Sequence, residues 1–309
     1  MDSHVKVFAI VVSFNGAKWI RKCMDSLFAE KALPLEVVDV DNGSTDETLQ
    51  ILEMEFPEVH IIRNDQNRGF GKANNQGIEY AFRAGASHFL LLNQDAWVRE
   101  GTVARLVEVQ QKWALPLVSP LHMNGTGLSF DRGFYKNLMR AGSGSACLGD
   151  FSRGTMKDYY ACPFINAACW LIPRETVLTV GGFDPIFFHY GEDGDYCDRV
   201  IFHIGYPCVV SGAEIRHDRD VKGNETLWEQ RKLLIRLFRL YGLRSTSRKE
   251  RRSCHLRNLR FFMHNLLAMN FKDARHIANS YLAFLRSFPE IKEHARKNRI
   301  KGPNWLILD

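Results

Sequence analysis

"VKVFAIVVSF", residues 5–14, is an almost unbroken run of apolar side chains, most of them β-branched or aromatic. A strand with one wet face alternates apolar and polar residues. A run this uniform must be covered on both faces, which is the pattern of a parallel strand inside an α/β sheet. The neighbouring sequence agrees. From Ala17 to about Glu30, Ile20, Cys23, Met24, Leu27 and Phe28 recur at helical spacing. "LEVVDVD" (35–41) predicts a second strand, followed by "NGSTDET", where Ser44 and Glu47 have the spacing of a capping box for a helix to about Phe56. "VHIIR" (59–63) predicts a third strand, the loop "NDQNRGFG" leads into a helix over Lys72 to Phe82, and "SHFLLLNQD" (87–95) predicts a fourth strand. Strands alternating with helices imply a doubly wound, mostly parallel α/β sheet.

Beyond Leu115 the alternation breaks. "HMNGTGLSFDRGFYKNLMRAGSGSACLGD" (122–150) is rich in Gly, Ser and turn residues and reads as loops and short strands over one end of the sheet. "ACWLIPRETVLTVGGFDPIFF" returns to strand, helix and turn. From about Trp228 the character changes again. Residues 228–260 carry many Lys and Arg but only Glu229 and Glu250 as acids, with Leu233, Leu234, Leu237, Phe238 and Tyr241 interleaved. The chain therefore divides into a sheet domain, 1–225, and a helical, basic C-terminal region, 226–309.

With 309 residues, 45% of them hydrophobic, the chain can bury a large core. No apolar run approaches the roughly 20 residues that a spanning helix needs. "MDSHVKVFAIVVSFNG" has charges too close to its short apolar run to read as a signal peptide. A soluble or surface-attached protein is expected. The seven cysteines are an odd number without a CxxC pair, which predicts reduced core thiols in a cytosol rather than a disulfide framework or a zinc site.

In open α/β sheets ligands bind outside the carboxyl ends of the strands. Polar residues collect at those ends: Ser13 and Asn15 after the first strand, Asp41 and Asn42 after the second, Asn93 and Asp95 after the fourth. Turn and capping roles account for Gly43 and Ser44 and stay open for Asn42. They fit Asp41 poorly, since a carboxylate at the tip of a buried strand can accept the ring N–H of a pyrimidine. There is no GxGxxG after the first strand and no GxxxxGK[ST], so neither a dehydrogenase-type dinucleotide site nor a P-loop holds phosphate here. A hard divalent cation on a carboxylate is the remaining means, and Asp95 is its natural ligand. Further on, "YGEDGDYCDR" (190–199) places Glu192, Asp193, Asp195 and Asp198 within seven positions, as acids suited to a helix's first turn or to a reaction needing a base.

Together "VVSFNG", "VVDVDNGSTDET", "NRGFGKANNQG", "LLLNQD" and "GGFDPIFFHYGEDGDYCDR" resemble, in order and spacing, the family 2 glycosyltransferases. The likeness covers roughly residues 5 to 220 and is greatest to the bacterial branch that includes rhamnosyltransferases of cell-surface polysaccharides. It implies the nucleotide-sugar-binding GT-A fold with a C-terminal helical appendage. Ser13, Asn15, Asp41, Asn42, Asn93 and the loop from Asn67 to Lys72, with Gly69 and Lys72, would hold the nucleotide. "LNQD" (92–95) resembles the family's DxD metal motif, with Asn93 in place of its first acid and Asp95 left as the strand's sole carboxylate ligand. His217, in "EIRHDRD", matches a His that in some relatives completes the shell of a Mg or Mn ion.

The resemblance also makes Asp193 the catalytic base and Glu192 a partner of the acceptor. Glu192 and Asp195 would raise the proton affinity of Asp193 by like-charge repulsion, and Asp198 would pair with an arginine such as Arg199 or Arg216. One departure is "FINAACWLIPR", where Asn166 and Ala167 stand in place of a small Gly-containing element. The activity implied is inverting transfer from a UDP- or dTDP-linked sugar to a hydroxyl of a glycan or lipid-linked glycan, in the cytoplasm, with no nucleic-acid partner. A sugar-phosphate nucleotidyltransferase would need a Gly-rich, Arg- and Lys-bearing loop after the first strand, which "SFNGAKW" lacks. A non-catalytic nucleotide-sugar-binding protein would have no reason to keep Asp95 and Asp193. Two readings stand for residues 228–262: a basic apolar surface resting on the inner face of a membrane, or helices packed on the catalytic domain with solvated arginines.

Overall fold

The structure, a computed structural model, describes residues 5–140, 142–219, 221–243 and 247–309, and over 221–230 it describes the backbone alone. Its first half is β1 (Val7–Ser13), α1 (Ile20–Phe28), β2 (Leu35–Asp41), α2 (Thr48–Glu55), β3 (His60–Arg63), α3 (Phe70–Arg83) and β4 (His88–Asn93). These strands lie parallel in the order β3-β2-β1-β4, and Val11 of β1 registers with Asp39 on one side and Leu92 on the other. β1 is thus interior to the sheet and covered on both faces. Ala9 and Val11 pack with Ile20, Met24 and Leu27 of α1, while Phe8 and Ile10 pack with Ile78 and Ala81 of α3. This is the physical reason for its uniform apolarity.

The second half comprises β5 (Ala96–Val98), α4 (Thr102–Trp113), β6 (Val118–Asn124), α5 (Arg132–Arg140), α6 (Ser143–Ser152), β7 (Tyr159–Ala161), β8 (Cys169–Pro173), α7 (Arg174–Val180), α8 (Glu192–His203) and β9 (Cys208–His217). The sheet continues β4-β8-β6-β9-β5, with β7 on β9. β8 runs antiparallel to β4 and β6, β9 parallel to β6, and β5 antiparallel to β9. The expected doubly wound fold is present, parallel on one side and mixed on the other.

Two local expectations fail. The capping box of Ser44 and Glu47 does not form: Asp46 Oδ1 accepts the Thr48 N–H at 3.0 Å, and Ser44 Oγ instead accepts the Asn15 N–H at 3.0 Å. Residues 122–150 hold more than loops. After β6 the chain makes α5 and α6, with Asp131 Oδ1 accepting the Phe134 N–H at 2.7 Å and Phe134 and Leu138 buried one turn apart. Their glycines and serines hide a helical pattern that rests on few apolar residues.

The chain forms two compact units. One holds the residues up to Arg219 together with Lys301–Asp309, and the other ends at Ile300. The break precedes the one at 225, and the last nine residues return to the sheet domain instead of closing the helical region. There Asn304 O accepts the Gly182 N–H at 2.8 Å, Thr179 O accepts the Gly302 N–H at 3.0 Å, and Trp305 O accepts from Asn75 Nδ2 at 3.2 Å.

The second unit consists of α9 (Val221–Tyr241), α10 (Arg248–Leu267) and α11 (Phe271–Lys297). Ser247 and Glu250 form a full capping box at the start of α10, and His255 bridges the hydroxyls of Tyr241 and Tyr281 at 2.9 and 3.0 Å. Of the stretch 228–262, the side chains of 228–230 and residues 244–246 lie outside the described residues, while Ile235 and Leu237 are buried. Among the described residues no helix is long and apolar enough to cross a membrane.

Candidate active site

The carboxyl ends of β1 and β2 are stitched together by side chains that the sequence had marked. Asn15, at a left-handed φ of 48°, accepts the Thr45 N–H on Oδ1 at 2.8 Å. Asp41 receives the Ser44 N–H at 3.3 Å on both carboxylate oxygens. Asn42 is fully engaged in building the next loop: Oδ1 accepts the Arg68 N–H at 2.9 Å and Nδ2 donates to Asn67 Oδ1 at 3.1 Å. Its turn-forming role is the one the structure displays. Ser13 is buried and donates from Oγ to Asp39 Oδ1 at 2.6 Å. Asp39 went unmarked because a mid-strand carboxylate gives no positional signal. It is wholly buried, its Oδ2 has no hydrogen-bond partner among the described residues, and burial, reinforced by Asp41, pushes its carboxyl to about 8 against the Ser13 bond.

The loop ends at Gly69, which caps α3 at φ 88° and ψ 157°, a region essentially reserved for glycine. A Cβ there would lie 2.2 Å from the Phe188 carbonyl oxygen, so this backbone passes directly beneath the segment that leads into α8. Lys72 is exposed on the first turn of α3.

At the tip of β4, Gln94 clamps the first loop, accepting the Phe14 N–H on Oε1 at 2.9 Å and donating from Nε2 to Phe14 O at 3.1 Å. Asn93 Oδ1 is buried with no hydrogen-bond partner among the described residues. Asp95 reaches its neighbour through the β5–β9 ladder. Ala96 registers with His217, which sets Asp95 Oδ1 3.2 Å from His217 Nε2. Behind the imidazole, Asp131 Oδ2 lies 3.8 Å from His217 Nδ1 and 3.5 Å from Arg219 Nε. Burial works to raise the Asp95 carboxyl, but His217 and Arg219 together hold it below the usual carboxylate range. Burial first, then the charges of His217 and Arg219, drives His122 well below its ordinary value.

This donor set fits a hard divalent cation. Neighbouring ligands of an octahedral ion, each about 2.1 Å from it, stand about 3 Å apart, which matches the oxygen–nitrogen separation of Asp95 and His217. Among the described residues no group of three or more His, Cys, Asp or Glu side chains could hold a metal, so Asp95 and His217 would supply two ligands at most from this set.

The third component is the start of α8. Tyr190 and Gly191 both have left-handed φ, 64° and 97°, and this sharp turn delivers Glu192 and Asp193 to the first turn of the helix. Glu192 is buried, and Asp193 is half-buried with Oδ1 accepting the Gly194 N–H at 2.7 Å. Burial raises the Tyr190 phenol; Arg219 lowers it, and Glu192, Asp193 and Asp95 raise it further. Tyr190 therefore sits within electrostatic reach of Asp95 and Arg219 and of the α8 carboxylates Glu192 and Asp193. The other acids of the cluster behave differently from expectation. Asp195, not Asp198, pairs with the fully buried Arg199, Oδ2 to Nε at 2.9 Å, while the guanidinium also donates to Val180 O and Gly182 O. Helical geometry dictates this, because residues four apart share a face. Asp195 therefore has its own cation within the helix. Asn166 Oδ1 accepts from Asn137 Nδ2 of α5 at 2.8 Å, tying the departure in "FINAA" to the helices missed in 122–150.

Comparison with known proteins gives the family and the fold. The chain is 26% identical over 230 residues to an N-acetylglucosaminyl-diphospho-decaprenol L-rhamnosyltransferase of Mycobacterium tuberculosis, covering 68% of this chain and 75% of that protein. It is 23% identical over 193 residues to a low-salt glycan biosynthesis hexosyltransferase of Haloferax volcanii, covering 62% of this chain and 60% of that one. Among solved structures, a mannosyltransferase from Pyrobaculum calidifontis in complex with GDP-Man and Mn2+ superposes with a TM-score of 0.58 at 17% identity, over 93% of this chain and 76% of the other. TarS of S. aureus in complex with UDP gives 0.52 at 17% identity, over 76% of this chain and 66% of TarS. These structures share the GT-A fold. The family model described as Glycosyl transferase family 2 matches residues 8–178, more than half of the chain, and the chain belongs to that family and is a glycosyltransferase.

Proposed function

We propose that the enzyme moves a sugar, with inversion, from a UDP- or dTDP-linked donor to a hydroxyl of a glycan or lipid-linked glycan, with Asp193 as general base. The observation that supports this most is Asp95 Oδ1 standing 3.2 Å from His217 Nε2 beyond the tip of β4, with the Tyr190 phenol, next to α8, feeling the charges of Asp95, Glu192 and Asp193. Ser13, Asn15 and Asp41 line the strand ends where the nucleoside would rest. Asp95 and His217 would hold Mg or Mn, which when bound supplies Lewis-acid stabilisation of the departing diphosphate. Asp193 takes the proton of the acceptor hydroxyl as its oxygen bonds to the anomeric carbon. The bond to the nucleoside diphosphate breaks on the opposite face, through a centre with oxocarbenium character. Glu192, adjacent and buried, positions the acceptor. All seven cysteines are free thiols, which suits a reducing, cytoplasmic setting.

The test is Asp193→Asn, which removes charge and keeps shape. Transfer should fall by about 10²–10⁴-fold while donor binding persists, because only the proton acceptor is lost. Near-normal turnover rules out Asp193 as base. Product analysis by mass spectrometry across a panel of sugar nucleotides identifies the donor.

A further inference from the structure

α10 and α11 meet in a tight turn whose tip is strongly apolar. Leu267 is 80% exposed, Met269 76% and Phe271 64%, and Phe261 and Met263 are exposed behind them. The turn has Schellman geometry, with the Asn270 N–H reaching Asn265 O at 2.8 Å. Met269 occupies its left-handed position, at φ 55°, where glycine carries no strain and a side chain does. A bulky apolar residue thus stands at the one place in the turn where it costs most, pointing away from any core.

Charge surrounds the tip. Between residues 256 and 275, Arg257, Arg260, Lys272 and Arg275 face a single acid, Asp273. All four bases are exposed, and Asp273 is engaged by the Asn270 side chain at the start of α11. Next to the tip, an apolar groove of about 530 Å³ opens between α10 and α11, lined by Leu256, Leu259, Phe262, Ile277 and Tyr281. Apolar tip, basic collar and apolar groove together match an acyl region beneath anionic headgroups.

We propose that this hairpin tip inserts into the interface of a lipid bilayer carrying anionic headgroups, with Leu267, Met269 and Phe271 among the acyl chains and the arginine and lysine collar at the phosphates. The inference is independent of the catalytic reading, since vesicle binding reports no turnover. It also extends the surface expected over 228–262: exposed apolar residues run along α10 through Leu256, Leu259 and Met263 and continue to the turn after it.

The experiment is co-sedimentation of the full chain with vesicles of phosphatidylcholine alone and with added phosphatidylglycerol. Binding is expected to the anionic vesicles and to weaken at high salt. Leu267→Glu combined with Met269→Glu should weaken it at least tenfold. Arg257→Glu combined with Arg260→Glu should do the same, each cation near the surface being worth about fivefold. Circular dichroism and thermal melting matched to the parent establish that the variants are folded. The proposal is overturned by absence of binding in the parent, by equal binding of parent and tip variant, or by a tip-dependent dimer in light scattering that does not bind vesicles.

Discussion

Asp39 and Asp95 are both largely enclosed by protein, yet their electrostatic states differ. Asp95 has an imidazole at 3.2 Å and a guanidinium nearby, and they hold its carboxyl below the usual range. Among the described residues Asp39 has only the Ser13 hydroxyl, and burial raises its carboxyl to about 8. For Asp95 the prediction concerns ligand binding. Asp95→Ala should weaken nucleoside-diphosphate affinity in Mn about 10–100-fold and erase its dependence on the metal, with His217→Ala a milder version; calorimetry with and without Mn reads both. For Asp39 the prediction concerns stability. A folded-state value of about 8 lies above an unfolded value of about 3.9. The unfolded chain therefore releases this proton first, and folding stability falls as pH rises from about 4 toward about 8. Asp39→Asn should leave stability near the parent's at pH 4 and raise it increasingly toward pH 8. Denaturant titrations across that range check it, and a constant difference would refute it. Asp95 was readable from sequence because it stands at a strand tip beside Asn93. Asp39 lies two residues inside its strand, and Asp131 and Arg219 join the site only through pairings no local pattern encodes.

Among the elements, the first four strands were the most readable, falling within two residues of their expected limits: β1, β2 and β4 through their apolar runs, and β3, an edge strand without a buried residue, through its place in the alternation of strands and helices. β5 was missed because three residues carry no periodicity, and α5 because its side chains contribute only Phe134 and Leu138 to the core. Yet β5 is what sets Asp95 against His217, so a site was partly assembled by an unreadable element. The loop before α3 shows a related dependence. Gly69 fits under the Phe188 carbonyl only because it lacks a Cβ, and residues 188–191 carry the turn that aims Glu192 and Asp193. Gly69→Ala should cost about 1–3 kcal/mol in backbone strain, a fall in Tm of about 2–10 °C. The displaced carbonyl should also lower kcat more than donor affinity. Melting and steady-state kinetics measure these together. Parent-like Tm and kcat would show that the two segments do not pack as described.

At the scale of the molecule, the sheet domain is closed by a piece of chain that comes after the helical unit. "KGPNWLILD" (301–309) shows no periodicity and falls within the region 226–309 expected to be helical, yet its apolar residues Trp305 to Leu308 were the available signal. The tail lies so close to the turn after α7 that a Cβ on Gly181, at φ 83°, would meet Asn304 O at 2.1 Å. Ile307 adds a bond from its N–H to Glu79 Oε1 at 2.9 Å, its carbonyl accepts from Arg83 at 2.9 Å, and Leu306 packs against the core beside α3 and α7. Buried hydrogen bonds contribute about 1 kcal/mol each and exposed ones less. With the partial burial of Leu306 the tail should stabilise the sheet domain by about 2–4 kcal/mol. A chain ending at Ile300 should therefore unfold its sheet domain about 5–15 °C lower than the full chain. Asn75 is the particular casualty, since its Nδ2 keeps Phe183 O but loses Trp305 O. A synthetic peptide of residues 301–309 added in excess should recover part of the loss in proportion to its concentration, as any ligand specific for the folded state does. Differential scanning calorimetry separates the two outcomes: an unchanged sheet-domain transition in the shortened chain would mean that the tail rests on the domain without bracing it.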